Sequence, residues 1–272
     1  MKEAKLALWP PMMSTRERLK LTEAAAGFWN PTDLQSLRAH LPLADRTLVL
    51  TTYGKGAFEL AVRDAGLAGT KMIVPAFISH DFVGVFYKYN ITPIFIDVDP
   101  ATYQVTPEAC VGEMLDSAAA LILLHTFGLP ADGQGFRILC DRHGLVIEDC
   151  ARALGGISGG RLVGCYGDYS AFSLSKVAPV RRGGLLLSRR PVDVSLPKAR
   201  ADVSGILNQL VLLKWPGLEF LEGPLYRLLR DTPVYPGEIG LYDPPEVEQP
   251  ERIVQSFLAS FFPHYAEVLQ VK

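Results

Sequence analysis

The sequence predicts an α/β fold: a mostly parallel seven-stranded sheet with one antiparallel strand and helices on both faces. Three observations carry that prediction. Short β-branched runs alternate with amphipathic helical runs from residue 47 to residue 190, as crossover-linked parallel strands require. The strand runs are apolar on both faces, as in a sheet covered on both sides. Only "KVAPVRR" separates "FSLS" from "GGLLLS", far too little for a parallel crossover, so the last strand runs antiparallel.

The elements follow in order. "TLVLTT" is a strand, and "GAFELAVRDAG" the helix behind a glycine turn. "KMIVPAF" and "TPIFIDVD" are strands joined by the helical "DFVGVFYKYN". "AALILLHTFG" and "LVIEDCARA" are strands joined by the helix "GQGFRILCDRHG", with Gly144 as its C′ glycine. The glycine-rich "LGGISGGRLVGCYGD" reads as a hairpin excursion before the strand "YSAFSLS". Three regions result: an N-terminal helical segment (1–46), an α/β domain (47–190) and a shortened, mainly helical C-terminal segment (191–272) broken by prolines.

Composition narrows the function classes. The 272 residues are 49% hydrophobic and 21% charged, which supports a filled core. A net charge of -2 offers no footprint for nucleic acid. The four cysteines show no CxxC spacing and the five histidines are scattered, so no metal centre is expected. No signal-peptide pattern opens the chain and no run suits a bilayer, so a cytoplasmic protein that binds small molecules is expected. "GISGG" matches a hydrolase elbow, yet lacks the helix that must follow it. "YGKGAF" lacks the third glycine of a dinucleotide fingerprint.

Three motifs remain, all at strand ends. In "TTYGKGAFELAV" a strand turns at Gly54 and Lys55 into a helix whose N-terminus suits phosphate, or is simply a tight βα turn. In "LVIEDCARA" Asp149 stands at a carboxyl-terminal strand end, where open α/β sheets place ligands. It could cap a helix, hold magnesium or face a cationic ring nitrogen. Glu148 points to the opposite face, so the two are not an acid/base pair. In "AFSLSKVAPVRR", Ser173 and Lys176 close a strand, with Arg181 and Arg182 nearby. Lys176 is either a solvated cation or a desolvated amine that attacks carbonyls. Together the motifs form the set that pyridoxal phosphate requires: an anion site, a carboxylate for the ring nitrogen and a lysine for the imine link.

With "YGKGAFELAV", "IVPAF", "TPIFIDVDPATYQVTPE", "LILLHTFGLPAD", "HGLVIEDCARALGG", "GRLVGCYGDYSAFSLSK" and "RRGGLLLS" in that order, the chain resembles the DegT/DnrJ/StrS family of sugar aminotransferases. The resemblance implies a fold-type-I large domain, pyridoxal 5'-phosphate and a homodimer with shared sites. It implies transfer of an amino group from an amino acid to a keto sugar linked to a nucleotide. Lys176 would hold the cofactor and Asp149 its ring nitrogen, while Gly54, Lys55 and Ser173 would bind its phosphate. Arg152 stands where the family has glutamine and would reach the ring oxygen or form a salt bridge elsewhere; Phe77 or His80 would stack on the ring. Family members are longer, so the small C-terminal domain is expected to be largely missing, and the spacer from Ser173 to Lys176 is short. Two alternatives stand beside the transaminase: a non-catalytic relative that binds a ligand or a full-length partner, and a lyase or dehydratase on the same cofactor.

Overall fold

A computed structural model describes residues 46–110, 116–140, 144–178, 180, 182–192, 195–197, 247–249 and 255. The helices expected within 1–46 and 191–272 lie outside these residues, apart from Arg46 and a few positions near 190 and 248.

The chain opens with β1 (Thr47–Thr51), α1 (Gly54–Asp64), β2 (Lys71–Pro75), α2 (Asp81–Lys88) and β3 (Thr92–Ile96). It continues with β4 (Ala120–Leu124), α3 (Gly133–Cys140) and β5 (Leu145–Asp149). The hairpin β6 (Ile157–Ser158) and β7 (Arg161–Leu162) precedes β8 (Tyr169–Ser173), a 3-10 turn (Leu174–Lys176) and β9 (Gly184–Ser188). Seven strands form one sheet in the order β1-β9-β8-β5-β4-β2-β3. β9 is antiparallel to both β1 and β8, and all other pairs are parallel. The short join before β9 has this result because it leaves only enough chain to turn back.

Strand alternation builds two cores. Met72, Val74, Ala120, Ile122 and Ile147 face α1 and α2, while Ile73, Leu121, Leu123 and Val146 face α3 through Phe136. Phe58 of α1 packs edge-on against Phe82 of α2, with ring centroids 4.5 Å apart. Gly144 holds φ at 148°, and its N–H donates to the carbonyl of Cys140, the last residue of α3; positions 141–143, which would decide whether it is the C′ residue, lie outside the described residues. All four cysteines are buried free thiols. Among the described residues, no helix is long and apolar enough to cross a membrane.

Candidate active site

Parallel strands that end on one edge of the sheet bring together side chains far apart in the chain. Here that edge carries a cavity of about 150 Å³ lined by Tyr53, Gly54, Lys55, Asp149, Ser173 and Lys176, among others. The N-terminus of α1, the end of β5 and the end of β8 each supply one part.

Asp149 is the last residue of β5, on the same face as Ile147 and therefore under α1. Its side chain is buried, and its Oδ1 accepts the Ala151 N–H at 3.0 Å. Burial pushes its carboxyl above the ordinary carboxylate range, against the pull of that N–H and of the Lys176 charge. The ionised form thus sits in a place that favours a further positive group beside it.

Tyr53 is the N-cap of α1, with no capping side chain and no acid in the first turn. The helix dipole and the first-turn N–H groups there suit an anion. Gly54 lies so close to β8 that a Cβ would stand 2.8 Å from Ser173 Cβ and 3.2 Å from the Phe172 carbonyl. Gly54→Ala is therefore expected to push α1 off β8, destabilising the fold by about 1–3 kcal/mol and weakening anion binding; thermal melts with and without inorganic phosphate measure both. An unchanged melt would mean that the contact relaxes freely.

The structure thus gathers Gly54, Lys55, Asp149, Ser173 and Lys176 around one space. Lys176 ends the 3-10 turn and is exposed, so the desolvated setting the sequence allows is not what the fold provides. Arg182 lies over the Tyr53 ring, 5.4 Å from its centroid, and Arg181 lies outside the described residues. Arg152, Phe77 and His80 do not line the cavity. Arg152 is exposed beside Gly128, and Phe77 packs with Tyr103 and Phe127. His80, 79% exposed, lies 3.8 Å from Asp81. From the same segment it is Ser79, Asp81 and Phe82 that reach the cavity. The signal for Phe82 is its spacing of four from Phe86 in α2, which puts both on the face that meets Phe58.

The neighbouring carboxylate has a structural task. Glu148, fully buried on the far face of β5, accepts N–H bonds from Gly164 (2.8 Å), Tyr166 (2.7 Å) and Gly167, and the Ser170 hydroxyl at 3.1 Å. His125 Nδ1 accepts the Ala131 N–H at 3.0 Å, so its Nε2–H donates to Glu148, 3.1 Å away. Burial pushes the Glu148 carboxyl up, but these donors outweigh it and hold it below the ordinary range. Arg46 completes the clamp by donating to the carbonyls of Gly167 (2.7 Å) and Cys165 (2.6 Å). His125, Glu148 and Cys150 lie close enough to surround an ion. The two ring nitrogens and both carboxylate oxygens, however, are already engaged in hydrogen bonds.

A model of the DegT/DnrJ/EryC1/StrS aminotransferase family matches residues 41–190, more than half of the chain. The chain is 33% identical over 150 residues to a GDP-perosamine synthase of Vibrio cholerae, which covers 53% of this chain and 41% of that protein. It is 38% identical over 122 residues to a UDP-N-acetyl-3-dehydro-alpha-D-glucosamine 3-aminotransferase of Acidithiobacillus ferrooxidans, covering 44% and 33%. The chain thus spans less than half the length of these curated relatives. Among solved structures, an aminotransferase from Psychrobacter cryohalolentis superposes with TM-score 0.60 at 22% identity, over 92% of this chain and 62% of that one. A GDP-4-keto-6-deoxymannose-3-dehydratase does so with TM-score 0.65 at 14% identity, over 95% and 67%. These two likenesses concern the fold alone.

Proposed function

The chain belongs to the DegT/DnrJ/EryC1/StrS aminotransferase family, and on that premise we propose that it is a pyridoxal-phosphate-dependent aminotransferase that carries an amino group from an amino acid to a nucleotide-linked keto sugar. The observation that carries this reading is the shared cavity of Asp149, Lys176, Ser173 and the α1 N-terminus. Two relatives named for GDP- and UDP-linked sugars support the substrate class. The same reading includes a homodimer that works in the cytoplasm.

The residues present fit the cofactor. A buried carboxylate with a raised pKa calls for a cationic donor, and a protonated ring nitrogen is one. The uncapped helix end beside Lys55 and Ser173 calls for an anion, and a phosphate is one. When bound, the cofactor supplies an aldehyde for the amino group and a ring that draws off carbanion charge. Asp149 would hold the proton on that ring nitrogen. The N–H groups at the start of α1 and the Ser173 hydroxyl would bind the phosphate. Lys176 would hold the cofactor through its Nζ and would be the group that takes up and returns a proton at that nitrogen.

Adding pyridoxal phosphate to the purified protein and then removing the unbound cofactor is expected to leave a visible absorbance band on the protein that Lys176→Ala abolishes. Amino transfer from glutamate to a keto sugar then separates transamination from elimination. A protein that gains no band is a non-catalytic binding relative, the second reading, which the exposure of Lys176 favours.

A further inference from the structure

Among the described residues, three of the five exposed large aromatic side chains stand together beside the cavity. Phe77, Tyr103 and Phe127 are 45%, 46% and 57% exposed. Their ring centroids lie 5.4, 5.8 and 5.9 Å apart, so each ring touches the other two. One exposed ring needs no explanation, but three in contact form a patch. Phe77 follows β2, Tyr103 follows β3 and Phe127 follows β4, so all three stand at the carboxyl edge of neighbouring strands.

The backbone is strained to hold two of them there. Tyr103 has φ 57°, and Phe127 has φ 55° and ψ 14°, the left-handed region that bulky side chains avoid. Hydrogen bonds fix the strain. The Tyr103 N–H donates to the Asp99 carbonyl at 2.7 Å, and the Thr126 hydroxyl donates to the Tyr103 carbonyl at 2.7 Å. Gln104 Nε2 donates to the Leu129 carbonyl at 3.0 Å, tying the two loops together a second time. Strained positions that keep apolar rings in water in a fixed arrangement point to binding rather than packing.

The patch adjoins the cavity. Phe77 is two residues from Ser79, which lines it, a span of at most about 7 Å. Arg152 directly follows Ala151, another lining residue, and its carbonyl packs against Gly128, next to Phe127. The backbone of exposed Arg152 thus links a residue of the cavity wall to the loop that carries Phe127.

We propose that Phe77, Tyr103 and Phe127 form a stacking platform for the nucleobase of the substrate, with Arg152 taking up phosphate charge between the base and the cavity. A base offers a flat π face that aromatic rings bind with little regard to its identity, and guanidinium matches phosphate geometry. The proposal rests on the nucleotide-linked substrate argued above.

Titration calorimetry of the full chain, with pyridoxal phosphate added, tests it with uridine diphosphate, guanosine diphosphate and inorganic pyrophosphate. Both nucleoside diphosphates are expected to bind more tightly than pyrophosphate. Phe127→Asn and Tyr103→Asn should each weaken them about 5- to 150-fold, the worth of one stacked base, and leave pyrophosphate unchanged. Asn accepts the left-handed backbone, so both variants should keep their melting temperature. Arg152→Ala should weaken all three probes. Failure of the nucleoside diphosphates to bind, affinity equal to that of pyrophosphate, or indifference to both Asn variants overturns the proposal. Variants that lower the oligomeric mass and leave nucleotide affinity intact would make the patch an interface between copies, which also overturns it. The absorbance band is read in the same samples. A band without nucleotide binding defeats this inference alone, and nucleotide binding without a band defeats the enzyme reading alone.

Discussion

Asp149→Asn is expected to raise the melting temperature of the cofactor-free protein at neutral pH while lowering amino-transfer activity on the order of 10²–10³-fold, the usual loss when one preorganised charge-stabilising group is removed. The two effects share a cause. Burial raises the folded-state pKa of this carboxyl, so the folded protein holds its proton to higher pH than the unfolded chain does. The stability linked to that proton is fully present below the ordinary carboxylate pKa of about 4 and is lost as pH rises through the folded value. At neutral pH the ionised carboxylate is therefore a burden on the empty fold, and a neutral amide of the same shape relieves it. With the cofactor's ring nitrogen beside it, the same charge becomes the group that keeps the ring protonated. Melts between pH 4 and 8, with and without pyridoxal phosphate, should show the variant more stable only without cofactor. A variant less stable in both states would mean that the Ala151 hydrogen bond outweighs burial.

Glu148→Ala is expected to cost at least about 3–5 kcal/mol, because it leaves several buried donors without an acceptor. With total stability near 5–15 kcal/mol for an ordinary domain, that removes a large share and lowers the melting temperature by roughly 10 °C. The N–H groups of Gly164, Tyr166 and Gly167 and the Nε2–H of His125 all converge on this one side chain, while the Ser170 hydroxyl also has the Gly164 carbonyl as an acceptor at 2.8 Å. Glu148→Gln should recover only part of the loss, since its amide nitrogen would face donors. The sign of the pH effect is opposite to that of Asp149. The folded pKa of Glu148 is depressed, so its contribution is present above the ordinary pKa of about 4.3 and is lost as pH falls through the folded value. An acid limb of the melting curve identical in wild type and Glu148→Gln would sink this account. Two adjacent carboxylates on one strand thus pull stability in opposite directions as pH changes, because strand alternation sends one among donors and the other into a cavity.

Much of this was legible in the residues. Apolar runs on both strand faces marked the covered sheet, the glycines of "GGISGG" marked the hairpin, and the seven-residue join before β9 marked its direction. Gly54, Lys55, Asp149, Ser173 and Lys176 were legible as a group because each closes or opens an element at the same edge, and one edge of an open sheet is where such ends meet. The segment after β2 was less so. Phe77 and His80 look as suited to the cavity as Phe82, and the choice depends on how α2 settles against Phe58. Glu148 carried no local signal at all, since its backbone donors lie 16 to 19 residues further on.

By itself, then, the sequence determined the layers of the fold, the single reversed strand and the five strand-end residues that share the cavity, because periodicity, turn chemistry and join length act within a few residues. Only the tertiary structure decided that Lys176 lies at the surface, that Phe82 rather than Phe77 or His80 lines the cavity, and that three rings meet beside it. Burial and side-chain contact depend on which distant elements pack together, and that is a property of the assembled sheet rather than of any one stretch of chain.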